Sequence, residues 1–274
     1  MKPKTIVITG ASDGVGAAAA RQLASAGHRL ILIGRSPQKT TAIATELSAE
    51  HIVADFARLD DVRRVAADLV ERCESIDVLA HNAGLIGGSK RVETVDGHEL
   101  TNQVNYLAPF LLNHLLHDRL IESRTTVIAT DSSAHRLGRI RLSDLDHVRS
   151  YVYFTAYADS KLALLIYTRE LQRRYGADGL TAVAFHPGAV SSNFSVGSGS
   201  FIGAFYASPA AKLLPVTPAR GADTLVFLAE ATPGVDFPPG GYLVRRRPAP
   251  TRACVRDVRL ADALWRQTEH LLGL

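Results

Sequence analysis

The sequence predicts an α/β fold, a doubly wound parallel sheet with helices on both faces. Apolar runs of strand length alternate with longer helix-like segments through the first half of the chain, which is typical of a parallel sheet. These runs are apolar almost throughout, as expected where both faces of a strand are buried. A glycine-rich turn at 10–16 joins the first predicted strand to the first predicted helix.

The predicted elements follow one another without a break. Pro37 suits the first turn of a helix and Gly27 suits a helix end, so both mark boundaries. Strands are expected at 4–9, 28–33, 52–54, 76–80, 125–129, 180–185 and 242–244, and helices at 14–27, 37–49, 60–73, 95–121 (two helices) and 155–175. We therefore expect a single domain over 1–274, in which the Ser-, Gly- and Ala-rich segment 191–216 forms a substrate-binding flap.

Composition narrows the class of protein. The chain has 274 residues, of which 46% are hydrophobic and 21% charged, and this supports a sizeable core and argues against disorder. The net charge of +4 suits an anionic cofactor but is too small to indicate nucleic acid. The two cysteines lie far apart, so neither a disulfide framework nor a zinc site is expected.

Hydropathy also bears on localisation. No apolar run approaches the roughly 18–20 residues of a membrane span, and a strand-like run begins almost at the N-terminus. We therefore expect no membrane span and a cytoplasmic protein.

The glycine-rich turn predicts a dinucleotide site. Glycine permits a tight turn and close approach of a pyrophosphate, and the following helix offers its N-terminal N–H groups to phosphate. The spacing is Gly-x-x-x-Gly-x-Gly rather than Gly-x-Gly-x-x-Gly, which leaves a plain strand-to-helix turn as the alternative. With its strand and helix in place, the turn indicates a Rossmann-type fold, and its candidate cofactor contacts are Gly10, Ser12, Asp13, Gly14, Val15 and Gly16.

The end of the second strand predicts the choice of cofactor. An NAD enzyme usually places a carboxylate there, on the ribose 2′-hydroxyl. Here the strand ends in Gly34-Arg35-Ser36, and no Asp or Glu occurs between Asp13 and Glu46. The Arg35 guanidinium suits a 2′-phosphate, so we predict NADP(H) over NAD(H); a solvated surface arginine is the alternative.

A tyrosine and a lysine form the candidate catalytic pair. Tyr157 and Lys161 are four residues apart in the long helix, which puts them on one helix face. A tyrosine hydroxyl has an ordinary pKa of about 10, and a neighbouring ammonium favours its phenolate. Tyr-x-x-x-Lys by itself also occurs as a surface pair, so the interpretation needs further motifs.

Those further motifs resemble the short-chain dehydrogenases/reductases over nearly the whole chain. Asn82-Ala83-Gly84 follows the fourth strand, Asn105 lies in the next helical segment, Ser132-Ser133 follows the fifth strand, and Pro187-Gly188 follows the sixth. The run at 132–138, a lengthened loop at 136–154 and the Leu-Trp…Leu-Leu-Gly ending resemble the retinol-dehydrogenase-like branch.

The resemblance implies a role for each of these positions. Tyr157 would transfer the proton, Lys161 would bind the nicotinamide ribose, and Asn105 would anchor a proton-relaying water. Ser133 would hydrogen-bond the substrate oxygen, with the adjacent Ser132 as the alternative. Further cofactor contacts are implied for Asp55 and Phe56, for Asn82, Ala83 and Gly84, for Pro187 and Gly188, and for Val190 and Ser192.

The sequence therefore predicts an NADP(H)-dependent oxidoreductase acting on a small to medium, largely apolar carbonyl or alcohol. The alternative is a non-catalytic NADP-binding sensor or scaffold on the same fold. A third hypothesis is nucleic-acid binding through Arg245-Arg246-Arg247, but a solvated edge after the last strand explains this run better. We therefore expect no nucleic-acid partner. We also expect no metal. Relatives assemble through two long helices, here 105–121 and 155–175, which leaves a homodimer and a homotetramer open.

Overall fold

The computed structural model describes residues 2–188 and 217–274. In these residues the strands are β1 (Thr5–Thr9), β2 (Arg29–Gly34), β3 (Glu50–Val53), β4 (Val78–His81), β5 (Thr126–Thr130), β6 (Thr181–His186), β7 (Tyr242–Val244) and β8 (Arg247–Pro248). They form one sheet in the order β3-β2-β1-β4-β5-β6-β7-β8. Every neighbouring pair is parallel except β7 and β8, so the doubly wound prediction is confirmed.

Helices cover both faces of this sheet. They are α1 (Gly14–Ser25), α2 (Pro37–Leu47), α3 (Leu59–Arg72), α4 (Leu100–Asn102), α5 (Ala108–Leu115), α6 (His117–Glu122), α7 (Tyr153–Tyr175), α8 (Pro218–Glu230) and α9 (Val258–Leu272). One apolar core lies between the sheet and α3, α5, α7 and α9. A second core lies on the opposite face, against α1, α2 and α8.

Local sequence explains where several helices begin. Asp13, Ser36 and Asp257 each accept a backbone N–H at the start of α1, α2 and α9, the role for which Asp and Ser are preferred. Thr217 does the same for α8, whose first residue is a proline. These caps satisfy amide groups that a helix start would otherwise leave without a partner.

The region 95–121 differs from the two helices expected there. The helical chain begins only at Leu100, and five residues, Gln103–Leu107, form a π-helical turn before α5. The first turns are tied to neighbouring loops, since Glu99 accepts the Asn102 amide and Gln103 donates to the Phe56 carbonyl. Asn105 lies in the π turn, a feature frequent at functional sites.

Two helices, α8 and α9, were missed by the sequence reasoning. The indole of Trp265 in α9 packs 4.9 Å from the ring of Phe110 and 5.5 Å from that of Tyr167. The guanidinium of Arg174 stacks 4.2 Å over the same indole. α9 therefore covers α5 and α7 on the outer side of that core.

Candidate active site

The sequence-predicted site residues follow the carboxyl ends of six parallel strands. Such ends meet at one edge of a sheet, and ligands bind outside that edge where the strand order reverses. Here the order reverses between β1 and β4. The edge carries 10–16 after β1, Arg35 after β2, Asp55 and Phe56 after β3, 82–84 after β4, 131–133 after β5, and Pro187 and Gly188 after β6.

The glycine-rich turn has the shape of a dinucleotide cradle. Gly10 and Gly14 have φ angles of +65° and +55°, a conformation that residues with a Cβ rarely adopt. A Cβ on Gly10 would lie 2.7 Å from the Ala83 Cα, and one on Gly16 would lie 2.5 Å from the Asn82 Nδ2. Glycine at these positions therefore allows the turn to pack closely against Asn82 and Ala83 at the end of β4.

The Asn-Ala-Gly motif braces this turn from β4. The Asn82 side-chain amide donates to the carbonyls of Thr9 and Gly10 at 3.1 and 3.2 Å. In return, the Thr9 hydroxyl accepts the backbone amides of Asn82 and Ala83, both at 3.0 Å. The two strands that flank the reversal of strand order are thereby locked together at their carboxyl ends.

Basic groups lie at the end of β2, as the cofactor prediction requires. Arg35 is exposed after Gly34. The Lys39 ammonium, in the first turn of α2, lies 2.8 Å from a carboxylate oxygen of Asp13. This ion pair joins α2 to the cap of α1, close in sequence to Arg35.

The turn after β3 is held by its own side chains. The Asp55 carboxylate accepts the Ala57 amide at 3.0 Å, and the Asp55 amide donates to Asp61 at 2.8 Å. Phe56 is buried beneath. The turn that carries the predicted contacts Asp55 and Phe56 is therefore fixed by its own hydrogen bonds.

Tyr157 and Lys161 lie together near the start of α7. Tyr157 is 7% exposed and Lys161 is 3% exposed. The Lys161 ammonium lies 5.9 Å from the centre of the Tyr157 ring. The ammonium donates to the Thr130 carbonyl at 2.9 Å, which ties α7 to the end of β5. Burial lowers the pKa of Lys161 to about 8, and the charge of Asp131 opposes that shift.

Asn105 ties three elements together behind this pair. Its side-chain oxygen accepts the Leu85 amide at 2.8 Å, and its amide donates to the Leu85 carbonyl at 3.0 Å. The same amide donates to the Ser160 hydroxyl at 3.1 Å, and that hydroxyl donates to the Tyr157 carbonyl. Asn105 thus fixes the loop after β4 against the first turns of α7.

The two candidate serines differ in exposure. Ser132 is partly buried, and its hydroxyl accepts the Ala134 amide at the start of a 3₁₀ turn, Ser133–Arg136. Ser133 is exposed. Ala134 packs with Tyr157, Ile86 and Ala158 in a small apolar cluster. The serine pair therefore lies directly before a residue that packs near the tyrosine.

The lengthened loop folds back onto α7, as the spacing from Ser133 to Tyr157 required. The Arg139 amide donates to the Asp159 carboxylate at 2.7 Å, and the Arg141 guanidinium donates to its other oxygen at 2.9 Å.

The predicted contacts Val190 and Ser192 and the segment 191–216 lie outside the described residues.

Two absences among the described residues concern metal binding and membrane insertion. Among residues 2–188 and 217–274, no cluster of three or more His, Cys, Asp or Glu side chains is arranged to hold a metal ion. Within those same ranges, no helix combines the length and the apolar character that crossing a bilayer requires.

Sequence reasoning missed three residues that shape the site. Thr9 braces the glycine turn through its hydroxyl, and Thr130 holds Lys161 through its carbonyl. Asp131 is completely buried at the end of β5, next to the serine pair. The four-residue spacing from Asp131 to His135 was the available signal, although spacing alone does not reveal burial.

Comparison with known proteins gives consistent matches. The family model described as short chain dehydrogenase matches residues 4–200. The chain is 38% identical to "Putative daunorubicin C-13 ketoreductase DnrU" of Streptomyces sp. (strain C5) over 98% of this chain and 93% of that protein. It is 35% identical to human retinol dehydrogenase 13 over 99% of this chain and 85% of the relative.

Solved structures share the fold. The crystal structure of an uncharacterized protein from Mycobacterium Paratuberculosis is 32% identical with a TM-score of 0.79, covering 98% of this chain and 93% of the other. A short chain dehydrogenase from Burkholderia cenocepacia J2315 in complex with NADP has a TM-score of 0.69 at 23% identity, covering 88% and 95%. The chain therefore belongs to the short-chain dehydrogenase/reductase family, in its retinol-dehydrogenase-like branch, as an oxidoreductase of CH–OH and C=O groups.

Proposed function

We propose that the protein is an NADP(H)-dependent reductase or dehydrogenase of largely apolar ketones, aldehydes or alcohols, with Tyr157 as the proton-transferring group. The observation that carries this proposal is the buried Tyr157–Lys161 pair at the carboxyl edge of the sheet, fixed there by the bond from Lys161 to Thr130. The nicotinamide, when bound, supplies or accepts the hydride.

The residues of the chain supply position and proton transfer. In reduction, the Tyr157 hydroxyl gives its proton to the substrate oxygen, and in oxidation the phenolate takes that proton. The Lys161 ammonium favours the phenolate through its charge. A serine hydroxyl at 132 or 133 would hold the substrate oxygen, and Asn105 would anchor a proton-relaying water while it fixes the Leu85 loop.

An apolar substrate is favoured by the surroundings of Tyr157. Ile86, Ala134 and Ala158 pack around it, with Tyr153 and Phe154 partly buried against them. Pockets of this kind favour apolar ligands with a few oriented polar groups. The names of two relatives, a daunorubicin ketoreductase and a retinol dehydrogenase, point to substrates of the same character.

The test is a turnover screen with NADPH and NADP⁺ on aromatic and polycyclic ketones, retinal and retinol, with sugars as polar comparisons. Tyr157→Phe should lower kcat at least about 100-fold, the scale of general acid–base catalysis. Tyr175→Phe removes a hydroxyl from the far end of the same helix and is the matched control. Wild-type turnover by Tyr157→Phe would overturn the mechanism, and cofactor binding without turnover of any substrate would favour the sensor hypothesis.

Cofactor preference is tested at the end of β2. Arg35→Ala should weaken NADPH binding by about 10–100-fold and leave NADH binding unchanged, because charge-assisted hydrogen bonds are worth roughly 1.5–3 kcal/mol. Arg29→Ala, at the opposite end of the same strand and paired with Glu50, is the control. Equal affinity for NADH and NADPH in the wild type would contradict the preference.

The serine is assigned by a pair of variants. Ser133→Ala should lower kcat if the family pattern is followed, whereas Ser132→Ala should do so if the less exposed hydroxyl contacts the substrate. An unchanged rate in both variants would remove the serine from the proposed mechanism.

A further inference from the structure

Asp131 is a buried acid that the mechanism above does not use. It lies between Thr130, whose carbonyl accepts the Lys161 ammonium, and the serine pair. Its side chain has no exposed surface. Its backbone amide donates to the Phe185 carbonyl at 2.7 Å, so the residue is fixed between β5 and β6.

The Asp131 carboxylate has one close basic neighbour on its own turn. The Nδ1 of His135 lies 2.8 Å from its Oδ2, and the His135 side chain is also completely buried. The Tyr242 ring meets the His135 ring edge-on, 4.9 Å between ring centres. Among the described residues neither carboxylate oxygen receives a well-directed hydrogen bond, so His135 contacts the acid without fully satisfying it.

Several elements contribute titratable or charged groups around this acid. They are His135 and Arg136 from the 3₁₀ turn, Lys161 from α7 with Tyr157 beside it, His186 from β6 and Tyr242 from β7. Burial raises the pKa of the Tyr242 hydroxyl, and the Asp131 charge raises it further. Burial also lowers the pKa of the His186 imidazole, which keeps that ring neutral at pH 7.

A buried carboxylate that lacks strong hydrogen bonds stays charged only near a cation. The Lys161 ammonium is buried too, and burial by itself would favour its neutral form. The charge of Asp131 favours the ammonium form of Lys161 across the end of β5, where the Thr130 carbonyl accepts the ammonium and the next residue is the acid.

We propose that Asp131, held by His135, is a positioning residue that keeps the Lys161 ammonium charged beside Tyr157. The inference rests on the proposed function, because it assigns to Asp131 the electrostatic support of that same proton transfer. Asp131 acts through Lys161 and would touch neither substrate nor cofactor.

The consequence appears in the pH profile of alcohol oxidation. Oxidation needs the Tyr157 phenolate together with the Lys161 ammonium, so activity falls at high pH when the lysine loses its proton. Without the Asp131 charge, Lys161 would lose its proton at a lower pH. The alkaline limb of kcat/KM should therefore move down by about one pH unit, the smaller end of the effect of a neighbouring charge.

The experiment compares the wild type with Asp131→Asn between pH 6 and 10, using NADP⁺ and the best alcohol from the screen. Asp262→Asn is the matched control, because it removes the same charge from α9, where Asp262 pairs with Arg173 and Arg174. Asp131→Ser is the second variant if asparagine does not fold. NADP⁺ affinity, measured over the same pH range, is a second readout that does not depend on turnover.

A downward displacement of the alkaline limb, or of the pH at which NADP⁺ affinity falls, in the Asp131 variants but not in Asp262→Asn supports the inference. An unchanged pH dependence in both readouts overturns it. Failure of the proposed function looks different, since the wild type itself would then turn over no substrate or would not need Tyr157.

Discussion

Two aspartates at the same edge of the sheet make contacts of equal length in opposite surroundings. Asp13, after β1, lies 2.8 Å from the Lys39 ammonium, and both side chains are about half exposed (52% and 56%). Asp131, after β5, lies 2.8 Å from the His135 imidazole, and both side chains are fully buried. The equal distances therefore do not imply equal contributions to the free energy of unfolding. Solvent screens the exposed pair and does not screen the buried one.

The surroundings of the two turns explain the difference in burial. The β1 turn must leave its backbone open to a cofactor, so its Asp caps α1 from the outside. The β5 turn is covered by α7, β6 and β7, whose residues Lys161, Phe185 and Tyr242 close over Asp131. One aspartate caps a helix at the surface, whereas the side chain of the other is enclosed by protein.

The largest expected effect on stability comes from removing His135 while its buried partner Asp131 is kept. His135→Leu should destabilise the protein by about 3–5 kcal/mol, because it leaves a buried carboxylate without its closest partner. Urea unfolding at pH 7 measures this. The double variant Asp131→Asn/His135→Leu should recover part of the loss, since no buried charge remains; additive losses would show that the contact carries no charge interaction.

The next effect tests the brace behind the exposed turn. Thr9→Val should lower the unfolding free energy by about 2–4 kcal/mol, because the part-buried amides of Asn82 and Ala83 lose their shared acceptor. Thr5→Val, at the other end of β1, is the control and should change the unfolding free energy by less than about 0.5 kcal/mol. Equal effects of the two variants would mean that the hydroxyl of Thr9 does not hold the turn.

A smaller, pH-dependent effect is expected on β4, the strand between β1 and β5. Burial lowers the pKa of His81 to about 4, although its Nε2 bonds to Asn113 at 2.8 Å. Below its unfolded value near 6.5 the unfolded chain binds a proton that the folded protein excludes, so stability falls as the pH drops from 6.5 toward 4.

From pH 7 to pH 4.5 the buried His81 should lower the free energy of unfolding by roughly 2–3 kcal/mol. His81→Gln should flatten that part of the stability profile, which denaturant unfolding at several pH values would show. His114→Gln, an exposed histidine on α5, is the comparison and should leave the profile unchanged. An identical slope in the wild type and His81→Gln would contradict the assignment.

The smallest effect is expected at the exposed ion pair. Lys39→Met should change the unfolding free energy by less than about 1 kcal/mol, because exposed pairs are screened by water and salt. Thermal unfolding at low and high salt measures it. A loss as large as that of His135→Leu would abolish the contrast between the two aspartates.

The glycine-rich turn was predictable because it depends on backbone geometry. Gly10 and Gly16 are needed wherever a chain turns tightly against a neighbour, and that requirement is local enough to read from spacing. The Tyr157–Lys161 pair was predictable for a similar reason, since four residues of helix fix which side chains share a face. The helices α8 and α9 were missed, although Thr217-Pro218 and Asp257 carry start signals at their first turns.

By itself the sequence determined the alternation of strands and helices, the glycine turn and the tyrosine–lysine spacing, because each depends on residues near one another in the chain. The tertiary structure decided which polar groups lose contact with water. Asp13 and Asp131 are alike as residues at strand ends, and only the packing of α7, β6 and β7 around Asp131 buries its carboxyl group next to the residue that holds Lys161. Burial depends on the packing of segments that are distant in sequence, so no local sequence pattern predicts it.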